Sequence, residues 1–406
     1  MTLDSHQAAR VAGSNSPVPG TATAIAPVAA ARDLPPAMVV GLCAHGLATV
    51  RALTSTGVSV MALETDADLP GARTAHAKVF RRGPMNGPGA AETLRQLAVE
   101  SKWPARPVLF LMNDNMVRDV AENWPTLAPY YQLSWRECTA TVLRLMSKDN
   151  LPEICAASGV RFPVTARYSG DPKELAALAQ VPYPAIVKPA WPLGSFKARI
   201  VNSRDEVEAL AKEHQRSLPF VVQQWIPGGP TALCFATLYL HQGRVLARFE
   251  GRKMYAGPDG MGQGTVMAPE PNDDVHQAAL NFLAGLNLSG PVAVEFKTDP
   301  NGEHWLIEPN VGRTEYCVDL CTVNGINLPA IEYRDALGLE PVPVAQRNAR
   351  IWFDTDRDGG SWLRFLRMHG LDSRALRPAF PYLQWGDLRP FLYATKRRIG
   401  RWLGRG

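Results

Sequence analysis

Two acids stand on what reads as one β-hairpin: Glu295 in V-A-V-E-F-K and Glu308 in W-L-I-E-P-N-V-G-R, with Asn310 and Arg313 just beyond. The turn signal Asp299-Pro300-Asn301-Gly302 lies between the two stretches. If Asn301 and Gly302 form a two-residue turn, paired positions sum to 603, so Glu295 lies opposite Glu308 and Asn310 shares their face by alternation. Carboxylates placed opposite one another repel, and the arrangement makes sense with a cation between them. Oxygen-only ligands select magnesium, with manganese as the alternative. A three-residue loop would shift the register by one and remove this inference, and a polar hairpin with solvated acids would need no metal.

Lys188 ends the short strand A-I-V-K and is followed by residues 190–195 (AWPLGS), a loop whose Gly194 and Ser195 could lie over phosphates, with the lysine placed for phosphate oxygens. Taken alone, a lysine at a strand end is more often a solvated surface charge. The elements around these residues are antiparallel. Residues 220–225 (FVVQQW) form a further strand, and residues 231–240 and 244–250 pair around His241-Gln242-Gly243. The chain ahead of residue 141 has a different rhythm. Residues 37–43 (AMVVGLC) and 58–63 (VSVMAL) are apolar runs of buried-strand length separated by a helical stretch, and residues 108–112 (VLFLM) supply another strand before Asn113-Asp114-Asn115. The first turn, C-A-H-G-L-A, lacks the glycine pattern of a dinucleotide site. His45 in it either touches substrate or is a hydrogen-bonded loop residue. The predicted fold class is α/β plus α+β: a doubly wound parallel-sheet domain over residues 36–140, then an antiparallel domain over 141–340 with lobes divided near 225, then an extension over 341–406.

The order of motifs resembles the ATP-grasp superfamily, and within it the predicted carboxylate-amine ligases that include D-aspartate ligase-like proteins. The match spans about residues 147–339: S-K-D-N, G-V-R-F-P-V-T, I-V-K-P, V-V-Q-Q-W-I-P-G-G, G-R-K, G-Q-G-T, V-E-F-K and I-E-P-N-V-G-R. The resemblance implies an enzyme that uses ATP and Mg2+ to activate a carboxylate as an acyl-phosphate and couple it to an amine. It implies that Lys148 and Lys188 contact the phosphates and that Gln223, Gln224, Trp225 and Ile226 form the hinge beside adenine. Relatives often carry an acid at Gln223 or Gln224, where this chain has amides that can still accept from the adenine amino group. It further implies that Glu295, Glu308 and Asn310 hold the metal and that Arg313 steadies the acyl-phosphate. Arg252 and Lys253 in G-R-K-M reach the transferred phosphate or line the cleft. Residues 190–195 and 260–265 are the lid candidates, with Gly194, Ser195, Gly262 and Gly264 as their flexible points. The alternatives are a ligase with a non-amine, thioester-forming nucleophile and a nonreactive ATP-binding regulatory protein.

The net charge of +5 resides in residues 386–406, where six cations face only Asp387, so the body is neutral and a nucleic-acid groove is not expected. That tail, with Leu392, Ile399 and Trp402 among its cations, reads as an amphipathic helix that packs on its own domain or rests weakly on an anionic membrane surface. The six cysteines have no metal-binding spacing. Residues 1–35 are rich in Ala, Pro, Ser and Thr without the apolar core of a signal peptide, and read as a disordered leader. The expected setting is cytoplasmic, with the inner face of the membrane as the place of any peripheral contact.

Overall fold

The computed structural model describes residues 34–190, 196, 198–257 and 263–402. The apolar runs near the start form a parallel sheet of β1 (Ala37–Val40), β2 (Val60–Leu63), β3 (Lys78–Phe80) and β4 (Val108–Leu111), in the order β3-β2-β1-β4. β1, β2 and β4 are buried along their whole length, which suits continuous Val, Leu and Met in a sheet covered on both faces. The first helix, Ala44–Thr54, begins within four residues of β1, so His45 and Gly46 stand in its opening turn rather than ahead of it. Gly46 permits this tight return, since a Cβ there would stand 1.9 Å from the Gly41 carbonyl oxygen.

The next sheet is small and antiparallel, ordered β5-β8-β6-β7, from β5 (Thr165–Tyr168), β6 (Ala185–Pro189), β7 (Arg199–Val201) and β8 (Phe220–Gln224). The largest sheet has six strands in the order β13-β12-β9-β10-β11-β14. Its members are β9 (Leu233–His241), β10 (Arg244–Ala256), β11 (Gly264–Pro269), β12 (Gly290–Thr298), β13 (His304–Val311) and β14 (Trp352–Phe353). Gln242 (φ 49°) and Gly243 (φ 78°) make the β9–β10 turn in the left-handed conformation that matches strand twist.

Two expectations change here. Gly264 is not part of a loop: it opens β11, pairs with Ala256 and is buried. A Cβ at this position would stand 2.5 Å from Met267 Cε and 3.1 Å from Lys253 Cγ, so the glycine makes room for packing. The other proposed lid residues, Gly194, Ser195 and Gly262, lie outside the described residues. The segment after residue 340 also enters the fold of the large sheet, since β14 pairs with β11 through Val266–Phe353 and Met267–Trp352.

The C-terminal segment is tied back to the first domain by Arg51, which is only 7% exposed. Its guanidinium donates to Asp387 Oδ2 at 3.1 Å and to the carbonyls of Pro381, Tyr382 and Asp387. Asp387 also accepts from Thr74 Oγ1 at 2.7 Å and from the Ala75 amide. The final helix, Arg389–Trp402, follows this anchor and carries Leu392 and Ile399 more than half exposed. Among the described residues no helix is long and apolar enough to cross a membrane.

Candidate active site

β12 and β13 bring Glu295 opposite Glu308, but by a different route from a two-residue turn. The loop is one residue longer: the Asp299 amide donates to the Glu303 carbonyl, and Asp299 Oδ1 accepts from the Asn301 and Glu303 amides. Pairing next to the loop therefore runs Thr298–His304, Lys297–Trp305 and Phe296–Leu306. Ile307 is then the extra residue of a β-bulge, and beyond it the register is Glu295–Glu308, Val294–Pro309 and Ala293–Asn310. The bulge restores what the longer loop removes. It also lets Leu306 fill the core while Glu308, two residues later, faces the cleft.

The acids are compensated by cations from three other elements. Lys253, 5% exposed, comes from β10 across β9 and places its ammonium 3.3 Å from Glu295 Oε2 and 3.4 Å from Oε1. Lys148 lies 3.9 Å from Glu308 at the more exposed rim. Burial pushes the Glu295 carboxyl above the ordinary range, with the charges of Glu308 and Glu315 adding to it and Lys253 opposing. Lys188, at the end of β6, has its pKa lowered by burial and by the neighbouring Lys148, with Glu308 and Glu295 opposing.

Arg313 occupies the junction between the large sheet and the parallel domain. Its Nε donates to Asp114 Oδ1 at 2.6 Å, one Nη to Asn310 Oδ1 at 2.7 Å and the other to the Thr314 carbonyl at 3.2 Å. Glu315 lies 3.9 Å from the same group. Burial opposes its charge, yet Glu315, Asp114 and Glu308 outweigh burial and hold the pKa up. His45 packs directly behind. Its Nδ1 lies 3.3 Å from the Met112 carbonyl and its Nε2 2.7 Å from Thr314 Oγ1. Burial, with Arg313 nearby, drops its pKa to about 3, so the ring is neutral: Nδ1–H donates to the carbonyl and Nε2 accepts from the hydroxyl. His45 is thus the hydrogen-bonded residue that joins β4 to the Arg313 loop.

At the hinge, Gln223 Nε2 donates to Thr165 Oγ1 at 2.9 Å and Gln224 Oε1 accepts from the Val164 amide at 3.3 Å. Gln224 thus has its acceptor oxygen engaged by the approach to β5, whereas Gln223 is held by β5 through its nitrogen. The Trp225 amide donates to the Pro184 carbonyl, and Ile226 is buried. Arg252 is committed elsewhere, with Nε on Glu270 Oε2 at 2.7 Å, Nη2 on the other oxygen of that carboxylate and Nη1 on the Thr231 carbonyl.

Two residues outside the expected set belong to the cleft. Glu315 adds a third carboxylate beside Arg313 and Glu295. Lys297 shares the Glu295 face two residues along β12 and places its ammonium 3.7 Å from the centroid of the Trp225 ring. Burial, with Lys188 adding, lowers its pKa to about 8. Alternation from Glu295 is the signal that marks Lys297; for Glu315 the sequence holds no comparable one.

Among the described residues no group of three or more His, Cys, Asp or Glu side chains is placed to hold a metal ion. The donor set here is two carboxylates and an amide, which suits a hard divalent cation that keeps water and phosphate oxygens as its remaining ligands. Burial first, and then repulsion from Glu308 and Glu315, raises Glu295, and a bound cation would oppose both. The residues fit the metal.

No protein-family model matches the chain. It is similar to the D-aspartate ligase of Enterococcus faecium (strain Aus0004), with 24% identity over 340 residues covering 77% of this chain and 79% of the relative. The biotin carboxylase domain of Hydrogenobacter thermophilus 2-oxoglutarate carboxylase, solved with MgADP, ADP and bicarbonate, superposes with a TM-score of 0.61 at 16% identity, over 77% of this chain and 72% of that one. The L-amino acid ligase of Bacillus licheniformis gives a TM-score of 0.58 at 16% identity over 78% of each chain. The fold is the ATP-grasp fold.

Proposed function

We propose that the chain is an ATP-dependent carboxylate-amine ligase, with Glu295, Glu308 and Asn310 as the magnesium site and Lys188 and Arg313 as the groups that stabilise transferred charge. The observation that carries this reading is the convergence of two opposed glutamates, an amide and unlike-charged neighbours from β6, β10 and the Arg313 loop. The names of the similar D-aspartate and L-amino acid ligases support an amino acid as one of the two small-molecule substrates.

A free carboxylate resists amine attack because oxide is a poor leaving group. Its oxygen therefore attacks the γ-phosphorus of ATP, ADP departs, and an acyl-phosphate forms. The amine nitrogen then bonds to the acyl carbon, phosphate leaves and the amine gives up a proton. Lys188 would meet oxygens of the transferred phosphoryl group, where its charge is worth most in a site closed to water. Arg313 is held by Asp114, Asn310 and the Thr314 carbonyl, and its two remaining N–H groups would meet an oxyanion without reorganisation. Lys148 at the rim and Lys253 inside balance Glu308 and Glu295 while the phosphates enter. Trp225 and Ile226 supply apolar surface for a base, and Gln223 and Gln224 stiffen the hinge through β5. Magnesium held by Glu295, Glu308 and Asn310 would supply charge neutralisation on the phosphate oxygens.

The reaction is tested by ADP release across a panel of amino acids and other carboxylates, with hydroxylamine present to trap the acyl-phosphate as a hydroxamate. A pair of substrates that raises ADP release and an acid-dependent hydroxamate are expected. ATP binding without turnover on any panel member would favour a nonreactive ATP-binding protein. A thioester formed in place of an amide would assign a different nucleophile. The setting we propose is the cytoplasm, where ATP is supplied. A weak peripheral contact with the inner membrane face is favoured by Leu392 and Ile399, exposed by 62% and 53% on a helix that also carries Arg389, Lys396, Arg397 and Arg398. Equal pelleting of full-length and tail-deleted protein with anionic vesicles would end that reading.

A further inference from the structure

Lys297 is a buried lysine to which no described residue brings an anion. It is 6% exposed, and among the described residues it makes no hydrogen bond or ion pair. Its contact is the face of Trp225, 3.7 Å from the ring centroid. A ring quadrupole offsets only part of the cost of taking an ammonium out of water. Lys188, the other cleft lysine without an ion pair among the described residues, adds repulsion. A well-packed apolar side chain at this position would avoid both costs, so the position of the charge calls for a ligand.

The surroundings indicate which part of a ligand that is. β12 alternation puts Lys297 on the same cleft face as Glu295, displaced toward the hinge. Gly228, which follows the hinge, lies over the lysine stem: a Cβ built there would stand 3.6 Å from Lys297 Cε and 2.7 Å from the Ala232 Cβ, and φ is +116°. The stem is thus clamped between the hinge loop and the sheet, with its ammonium over the Trp225 ring and its backbone two residues along β12 from Glu295. A nucleotide whose base rests at the hinge and whose terminal phosphates reach Glu295 and Glu308 must pass this ammonium with its sugar and first phosphate.

We propose that Lys297 is a nucleotide-binding residue that contacts the phosphate nearest the base, so that the site selects a nucleoside phosphate over the bare nucleoside. The proposal rests on the ATP-binding reading of the cleft. Its rival is that Lys297 only braces the hinge tryptophan.

Binding of ADP, AMP and adenosine to the full-length protein, measured by calorimetry with and without magnesium, separates these. Replacing Lys297→Met keeps the stem and removes the charge; it is expected to weaken ADP and AMP by about tenfold to a hundredfold, the range for one charge-assisted contact, while adenosine changes less than about threefold. Lys297→Arg is expected to retain most of the preference for AMP over adenosine, and thermal melts check that both variants fold. Equal losses for adenosine and AMP, or none for either, would overturn the proposal in favour of bracing. A loss for ADP with AMP unchanged would also overturn it, because the contact would then lie farther along the phosphates. Wild-type protein that binds no adenine nucleotide would overturn the ATP reading itself, an outcome distinct from wild-type binding that Lys297→Met leaves intact.

Discussion

Replacing Glu308→Gln should remove turnover while leaving the ligand-free protein as stable as before or slightly more so. Directly paired residues on neighbouring strands hold their Cβ atoms about 4.5–5.5 Å apart. Two carboxylates near that distance repel by about 3 kcal/mol at an effective dielectric of 20. Glu308 is 45% exposed, so solvent screening reduces this to about 1 kcal/mol. The lost ion pair with Lys148, 3.9 Å long and at the rim, offsets a few tenths of that. The net expectation is a rise of 0 to about 1 kcal/mol, or about 1 °C in melting temperature for a chain of 406 residues. The sign also depends on pH. Glu295 has its pKa raised in the folded state, so its cost is absent in acid and grows as pH rises through the unfolded value toward the folded one. Removing the Glu308 charge relieves part of that cost, so any gain should appear at pH 8 and vanish near pH 4. Thermal melts at the two pH values, with and without MgADP, and an ADP-release assay measure all of this. Loss of several degrees at pH 8 in the ligand-free protein, or retained turnover, would refute the placement of Glu308 as a metal-site acid facing Glu295.

Arg313→Lys keeps a charge but not the fork shared by Asp114 and Asn310, and should cut turnover by about a hundredfold with a smaller change in ATP affinity, read from steady-state kinetics. Arg51→Met leaves Asp387 buried without its cation and should destabilise by about 3–5 kcal/mol in denaturant unfolding, loosening the C-terminal segment first. Burial raises the Glu332 carboxyl to about 8 despite the bond from Ser134 Oγ, so it destabilises the fold progressively as pH rises from its unfolded value through 8. Glu332→Gln should therefore melt above wild type at pH 9 and near it at pH 5; a constant difference across that range would sink the assignment.

The hairpin shows what a sequence carries and where a reading of it stops. The register of Glu295 on Glu308 follows from a two-residue turn only because a longer loop and a bulge at Ile307 cancel. The bulge has a sequence signature. Phe296 and Glu295 are adjacent and take opposite faces, whereas Leu306 and Glu308 are two apart, and strict alternation would give them one face. With Leu306 at 0% exposure in the core and Glu308 in the cleft, one residue between them has to be extra. Lys297 was legible in the same way, by counting two from Glu295. Gly264 was misread because a run of glycines suggests a loop, while T-V-M-A beyond it is a strand whose first residue needs to be small beside Lys253 and Met267. The partners of Arg313 and Glu295 lay beyond such arguments. Asp114 is 199 positions away, and Lys253 reaches Glu295 only because β9 lies between β10 and β12. Periodicity assigns a side chain to a face. Which charges meet across a cleft depends on the order of strands in the sheet and on how the parallel domain docks against it, and these together set the charges around Arg313 and Glu295.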